Sequence, residues 1–237
     1  MKQPQNLLYW LRTIQSTTAQ IRTQSAMHSS LPKIATYRLP SKSFHLTIAR
    51  GSITDYSYPP NPSQCAIVNA ANEACLGGGG VDGAVSFAGG MPLQKDRMDL
   101  PQRRPGVRCR TGEAVMTGPN DYGSLNVRYV IHAVGPNYLT CECREDDERG
   151  DELLAAAYTC SLKCAECAKL EAVAFSLLSA GVFRGNRSLE EVLTIGMRSI
   201  CDFHGYEELR EVVLCGFSER EVQTLLEVAS LLGLEAL

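Results

Sequence analysis

From Phe44 onward the chain alternates between two hydrophobic periods, and this alternation constrains its architecture more than any other feature. Short runs rich in Val and Ile, at 44–50, 64–70, 113–118, 128–135, 172–179 and 211–217, read as buried strands. Between them lie stretches of helical period at 81–89, 151–170, 188–203 and 218–232. Two of these open on capping boxes, Ser188 with Glu191 and Ser218 with Glu221, in which a hydroxyl and a carboxylate satisfy orphan backbone N–H groups at the helix start. Strands separated by helices imply crossover connections and a largely parallel sheet covered on both faces. Ligands of such sheets sit outside the C-terminal ends of the strands.

A chain of 237 residues accommodates one large domain, or one domain plus an extension. The pattern divides it into an extension, residues 1–43, and a domain, residues 44–237. Residues 1–50 carry seven Lys/Arg and no acid, whereas the remainder has a balance of −10. The start of the chain, "QNLLYWLRTIQSTTAQIRT", fits either an amphipathic organelle transit peptide or a helix docked on the body through Trp10. The expected location is therefore intracellular, in the cytoplasm or nucleus, or in an organelle if the start is a transit peptide. An acidic body argues against a broad nucleic-acid footprint. No apolar run reaches the ~20 residues of a membrane span, so the chain is read as soluble and without a membrane partner.

No apolar signal segment opens the sequence, which speaks against a secreted disulfide framework for its ten cysteines. Cys160, Cys164 and Cys167 recur at i, i+4, i+7 and read as small hydrophobes buried on one helix face. The alternative joins them to Cys141 and Cys143 in a zinc site; the reading adopted requires no metal and no cofactor. The segments 99–112 and 140–151 read as surface loops. No Ser-His-Asp order or HExxH pattern supports a serine hydrolase or zinc protease, and His45, His132 and His204 fit core or surface roles.

The stretch "IVNAANEACLGGGGVDGAV" places four glycines, Gly77 to Gly80, between a strand and a helix, with Asn69, Asn72 and Asp82 around them. This order offers free N–H groups and a helix N-terminus to an anion. A nucleotide-triphosphatase loop would need Gly-Lys-Ser/Thr after its glycines, and here Val81-Asp82 follows. The dinucleotide fingerprint matches Gly78, Gly80 and Gly83 formally, but those glycines lie too far from the strand end, and no acid stands about 20 residues on at the end of a second strand.

The loop resembles the first binding loop of macrodomains, the ADP-ribose-binding family, and specifically of their MacroD-type branch. "RPGVRCRTGEAVMTG", "YVIHAVGP" (129–136) and "AFSLLSAGVFRG" (174–185) continue the resemblance in the family's order over about residues 44–232, closest to plant and algal members. It implies a three-layer α/β/α fold around a mixed, mostly parallel sheet. Its implied partners are ADP-ribose, O-acetyl-ADP-ribose and mono-ADP-ribosylated proteins. The implied activity is hydrolysis of ADP-ribosyl esters on Asp or Glu, or deacetylation of O-acetyl-ADP-ribose; the alternative is a reader that binds without turnover.

Carried onto this sequence, the family pattern makes Asn72 and Asp82 catalytic, with Asn72 on the distal ribose and Asp82 positioning or activating a water. Ser52, Ile53, Asn69, Ala70, Asn72, Gly77, Gly78, Gly79, Gly80 and Val81 are then expected to contact the ligand from one side. Ser179, Ala180, Gly181, Val182 and Phe183 contact it from the other, and Phe217 stacks on adenine. Two departures stand out. Ser52 replaces the aspartate that reads the adenine amino group, so that either Asp55 takes its place or adenine is held more weakly. Ala180 replaces the usual loop-two threonine.

Overall fold

The computed structural model describes residues 31–141 and 143–237. Eight strands form one sheet: β1 (Lys33–Arg38), β2 (His45–Arg50), β3 (Cys65–Ala70), β4 (Ala114–Thr117), β5 (Tyr129–Ala133), β6 (Ala172–Ser176), β7 (Glu211–Gly216) and β8 (Glu235–Ala236). Four helices accompany them: α1 (Gly80–Asp99), α2 (Arg144–Cys167), α3 (Leu189–Asp202) and α4 (Glu219–Leu231). The strand order is β4-β5-β3-β6-β7-β2-β1-β8. The five central strands run parallel, and antiparallel pairs close both edges.

Alternation along the strands sorts side chains to two faces, as the pleat requires. Ala66 and Val68 of β3 pack with α2, α3 and α4 through residues such as Leu154, Leu162, Val192 and Leu225. Cys65 and Ile67 point to the other face and meet Val85 and Leu93 of α1, with Leu31, Tyr56 and Tyr122 completing that layer. The result is a three-layer α/β/α domain with a mixed, mostly parallel sheet. Both expected capping boxes are present, at Ser188–Glu191 and Ser218–Glu221.

Three expectations need correction. The sheet reaches back into the segment assigned to the extension: β1 pairs antiparallel with β2, and Leu31 is buried, so the boundary at 43 lies inside the domain. A strand reading Lys-Ile-Ala-Thr-Tyr-Arg alternates too weakly to announce itself, and its neighbours β2 and β8 stabilise it. The basic helix expected near Trp10 lies outside the described residues. The charged stretch after Cys143 is helix, not loop, because α2 begins at Arg144. Glu145, Asp146 and Asp147 in its first turn complement the helix dipole, and Arg144 pairs with Glu148 one turn on. Of the three α2 cysteines, Cys160 and Cys164 are half-buried while Cys167 is exposed, so the buried face ends before Cys167. Among the described residues no group of three or more Cys, His, Asp or Glu is placed to hold a metal, and no helix is long and apolar enough to cross a membrane.

Candidate functional site

Between β3 and its neighbours the chain reverses its direction of travel across the sheet, since β5 lies on one side of β3 and β6 on the other. A crevice opens at that point, outside the C-terminal strand ends. Two adjoining hollows occupy it, about 440 Å³ and about 410 Å³ in volume. Gly80, Val81, Leu177 and Gly181 line both, so the hollows form one continuous cleft.

The four glycines meet three different demands. Gly77 and Gly80 take positive φ, 113° and 58°, which side-chain-bearing residues rarely adopt. A methyl group on Gly78 would lie 3.1 Å from Asp82 Oδ2 and 3.3 Å from Asn72 Nδ2, so Gly78 keeps the space between these two groups open. Gly79 has nothing within 4 Å of where its methyl would go; it leaves the cleft floor bare at the N-cap of α1. No side chain caps α1 there, so its first-turn N–H groups are available to an anion.

Asn72 shapes the loop from within. Its Oδ1 accepts from the backbone N–H groups of Ala74 and Cys75 at 3.1 and 3.2 Å, and its Nδ2 donates to Gly77 O at 3.0 Å. One Nδ2 hydrogen remains for the cleft, which Asn72 lines. Asp82, also a lining residue, is anchored from behind. Its Oδ1 accepts from Asn69 Nδ2 and from Arg97 Nη2, each at 2.8 Å, and Arg97 is wholly buried. Its Oδ2 has no hydrogen-bond partner among the described residues.

Behind this pair a buried chain continues. Asn69 Nδ2 lies 3.3 Å from His132 Nδ1, and His132 Nε2 lies 3.1 Å from Thr117 Oγ1, which donates to Val130 O. Burial, with the Arg97 charge adding to it, holds the His132 imidazole well below its ordinary pKa and therefore neutral. A neutral ring accepting from Asn69 at Nδ1 carries its proton on Nε2, toward Thr117; this tautomer is inferred from the network.

The expected contact residues divide accordingly. Ala70, Asn72, Gly78, Gly79, Gly80, Val81, Ser179, Gly181, Val182 and Phe183 line the hollow that contains Asp82. Ser52, Ile53, Ala180 and Phe217 line the other, with Gly80, Val81 and Gly181 shared. Two expected contact residues are placed differently. Asn69 is completely buried and reaches the cleft only through Asp82, because its β3 position points it into the sheet layer beneath. Gly77 lies off the cleft wall and presents its carbonyl to Asn72.

Loop two is held by Ser179, at φ 53°, whose Oγ donates to Pro136 O at 2.8 Å. Ser176 joins the strand ends, donating to Val68 O and accepting from Ala70 N. Phe217 is 75% exposed and Phe183 37%, so neither ring belongs to the core. At the Ser52 end, the serine caps the short 3-10 turn Ile53–Asp55, while Asp55 is exposed and absent from the cleft wall. The carboxylate that does line this hollow belongs to Glu221, which sequence reading used only as a helix cap. Arg97, Ser176 and Gly135 also escaped it; none sits in a local pattern that marks it.

The Macro domain family model matches residues 68–194, more than half of the chain. The protein belongs to the Macro domain family. A Macro domain-containing protein of Caldanaerobacter subterraneus subsp. tengcongensis is 35% identical over 178 residues, covering 75% of this chain and 91% of the relative. A protein named O-acetyl-ADP-ribose deacetylase from Salmonella gallinarum is 37% identical over 158 residues, covering 67% of this chain and 78% of its own length. Among solved structures, the Oceanobacillus iheyensis macrodomain with ADP superposes with a TM-score of 0.69 at 29% identity, covering 86% of this chain and 98% of that one. The Trypanosoma brucei macrodomain in complex with ADP-ribose gives 0.59 at 28% identity, covering 83% and 73%. The macrodomain's cleft is thus assembled here from the ends of β2, β3, β5, β6 and β7.

Proposed function

We propose that this macrodomain binds ADP-ribose along the cleft and hydrolyses esters at its distal ribose, either ADP-ribosyl esters of Asp or Glu or the acetyl ester of O-acetyl-ADP-ribose. The diphosphate would lie over the bare α1 N-terminus and between the two loops, where backbone N–H groups and close approach to glycine favour an anion. Adenine would occupy the hollow at Phe217, and the distal ribose the hollow at Asn72 and Phe183.

The single observation that carries the hydrolytic reading is the space over Gly78. Asp82 Oδ2, buried and without a hydrogen-bond partner among the described residues, and Asn72 Nδ2 flank the side of Gly78 where a methyl would lie, 3.1 and 3.3 Å from that methyl. A water held between these two groups, farther from Gly78 than that methyl, would be oriented by an acceptor and a donor at once, and general-base help of this kind contributes ~10²–10⁴-fold. Asn69 and Arg97 hold the opposite oxygen, so that Oδ2 alone faces the reaction. The water's oxygen adds to the ester carbon, the bond to the ribose oxygen breaks, and a proton passes to the departing alkoxide.

What is known of relatives by name supports this reading. Several are O-acetyl-ADP-ribose deacetylases, and the Oceanobacillus protein has been solved with ADP-ribose and altered at an asparagine, a glycine and an aspartate spaced as Asn72, Gly79 and Asp82 are. The reader alternative draws on the Asp82–Arg97 pair, which already neutralises the carboxylate that would take the proton.

The test is release of ADP-ribose from a protein mono-ADP-ribosylated on acidic side chains, and of acetate from O-acetyl-ADP-ribose, by wild type, Asp82→Ala and Asn72→Ala. Turnover lost in both variants, with ADP-ribose affinity largely retained, supports the hydrolase. Binding by wild type without release of either product leaves a reader, and failure to bind ADP-ribose removes both readings.

A further inference from the structure

Glu221 serves two masters in this fold. Its Oε2 accepts from the backbone N–H groups of Phe217 and Ser218, at 2.9 and 2.7 Å, and from Ser218 Oγ at 3.1 Å, closing the capping box of α4. Glu221 also lines the hollow beside Ser52, Ile53, Cys215 and Phe217, and it is the sole carboxylate among the described residues that do so. The polar groups around it there are poorly placed to recognise a base. Ser52 Oγ is engaged with Thr54 at 2.7 Å, and the Cys215 thiol, pushed up to about 12 by burial, is turned toward Gly51 O at 3.2 Å.

We infer that Glu221 is the specificity residue of the base subsite, its carboxylate accepting the exocyclic amine of an adenine held against Phe217. The inference rests on the proposed binding of ADP-ribose in this cleft. Three features converge on it. The carboxylate is an acceptor-only group, so it favours a base edge that donates and disfavours one that does not. It is tied to Phe217 through that residue's own N–H, so the ring that would cover the base and the acceptor at the base's edge are held as one unit. Its side-chain capping bonds converge on Oε2, and among the described residues no group hydrogen-bonds Oε1. The carboxylate that Ser52 does not supply is thereby offered by a residue that the helix start holds in place regardless of ligand.

The experiment compares binding of ADP-ribose with its purine analogue lacking the 6-amino group, by titration calorimetry, for wild type, Glu221→Gln and Ser218→Ala. A hydrogen bond to a charged acceptor separates the two ligands by roughly ten- to a hundred-fold in wild type. In Glu221→Gln the amide oxygen must stay on the two backbone N–H groups, which leaves an NH2 facing the base amine, and the preference for adenine should shrink to less than about threefold. Ser218→Ala removes one of the three hydrogen bonds on Oε2 but leaves both backbone N–H donors to hold the carboxylate, and it should keep the wild-type preference. Equal binding of both ligands by wild type overturns the inference, as does a Glu221→Gln protein that discriminates like wild type. If wild type binds neither ligand, the cleft assignment fails first, and the two failures are told apart.

Discussion

Arg97 Nη2 donates to Asp82 Oδ1 over 2.8 Å with both side chains out of solvent, fifteen residues apart on one kinked helix. The kink is at Gly90, whose φ of 59° breaks the helical path just before Pro92 and lets the second half of α1 aim Arg97 back at the first turn. Removing one member of a buried pair strands the other charge, which costs about 3–5 kcal/mol. Arg97→Met should therefore lose stability on that scale in urea unfolding. Combined with Asp82→Asn, the same substitution should cost clearly less than the two single losses together. Additive losses would show that the pair does not act as a unit.

Gly78 and Gly79 are adjacent but should respond differently to alanine. Both carry φ outside the left-handed region, so neither substitution strains the backbone. A methyl at Gly78 intrudes between Asp82 and Asn72, whereas one at Gly79 meets no protein atom. We expect Gly79→Ala to fold within ~0.5 kcal/mol of wild type, and Gly78→Ala to lose more, because its methyl lies 3.1 Å from a carboxylate that Asn69 and Arg97 hold fixed. Gly78→Ala should lose at least about a hundredfold in single-turnover ester hydrolysis, matching removal of general-base help. Gly79→Ala should act mainly on ligand affinity. Unimpaired turnover in Gly78→Ala would mean the reacting water lies elsewhere.

Phe217 projects into solvent at the rim of the cleft, 75% exposed, so its truncation removes little core. Phe217→Ala should leave the unfolding midpoint in place and weaken ADP-ribose binding by about 1–3 kcal/mol, the usual worth of stacking a base on an aromatic ring. A shifted midpoint with unchanged affinity would assign the ring to stability instead.

His132 links the site to solution pH. Its pKa is depressed in the folded protein by burial and then by Arg97, while in the unfolded chain it titrates near its ordinary 6.5. On acidification the unfolded state takes up a proton that the folded state refuses. The contribution is thus intact above pH 6.5 and is lost as pH falls below it, at up to about 1.4 kcal/mol per pH unit. Unfolding measured between about pH 6.5 and pH 5, above the range where ordinary carboxylates titrate, should show this slope in wild type and a shallower one in His132→Gln. Parallel slopes would rule out His132 as the source.

What the sequence determined by itself is what neighbouring residues encode. Two hydrophobic periods announced the strands and helices, and paired Ser and Glu three apart announced the starts of α3 and α4, because a capping box is closed within a single turn. The strand-glycine-helix order located the cleft, since backbone conformation and free N–H groups are local properties. Tertiary structure decided the rest, where the partners come from separate elements or from turns too distant to share a pattern. Lys33–Arg38 became a strand only because β2 offers it an edge. Asn69 turned from contact to support because the pleat points it inward, onto Asp82 and toward His132. Arg97 reached Asp82 only through a bend at Gly90. Glu221, legible from the outset as a cap, became a wall of the cleft only when the start of α4 was set beside the end of β2.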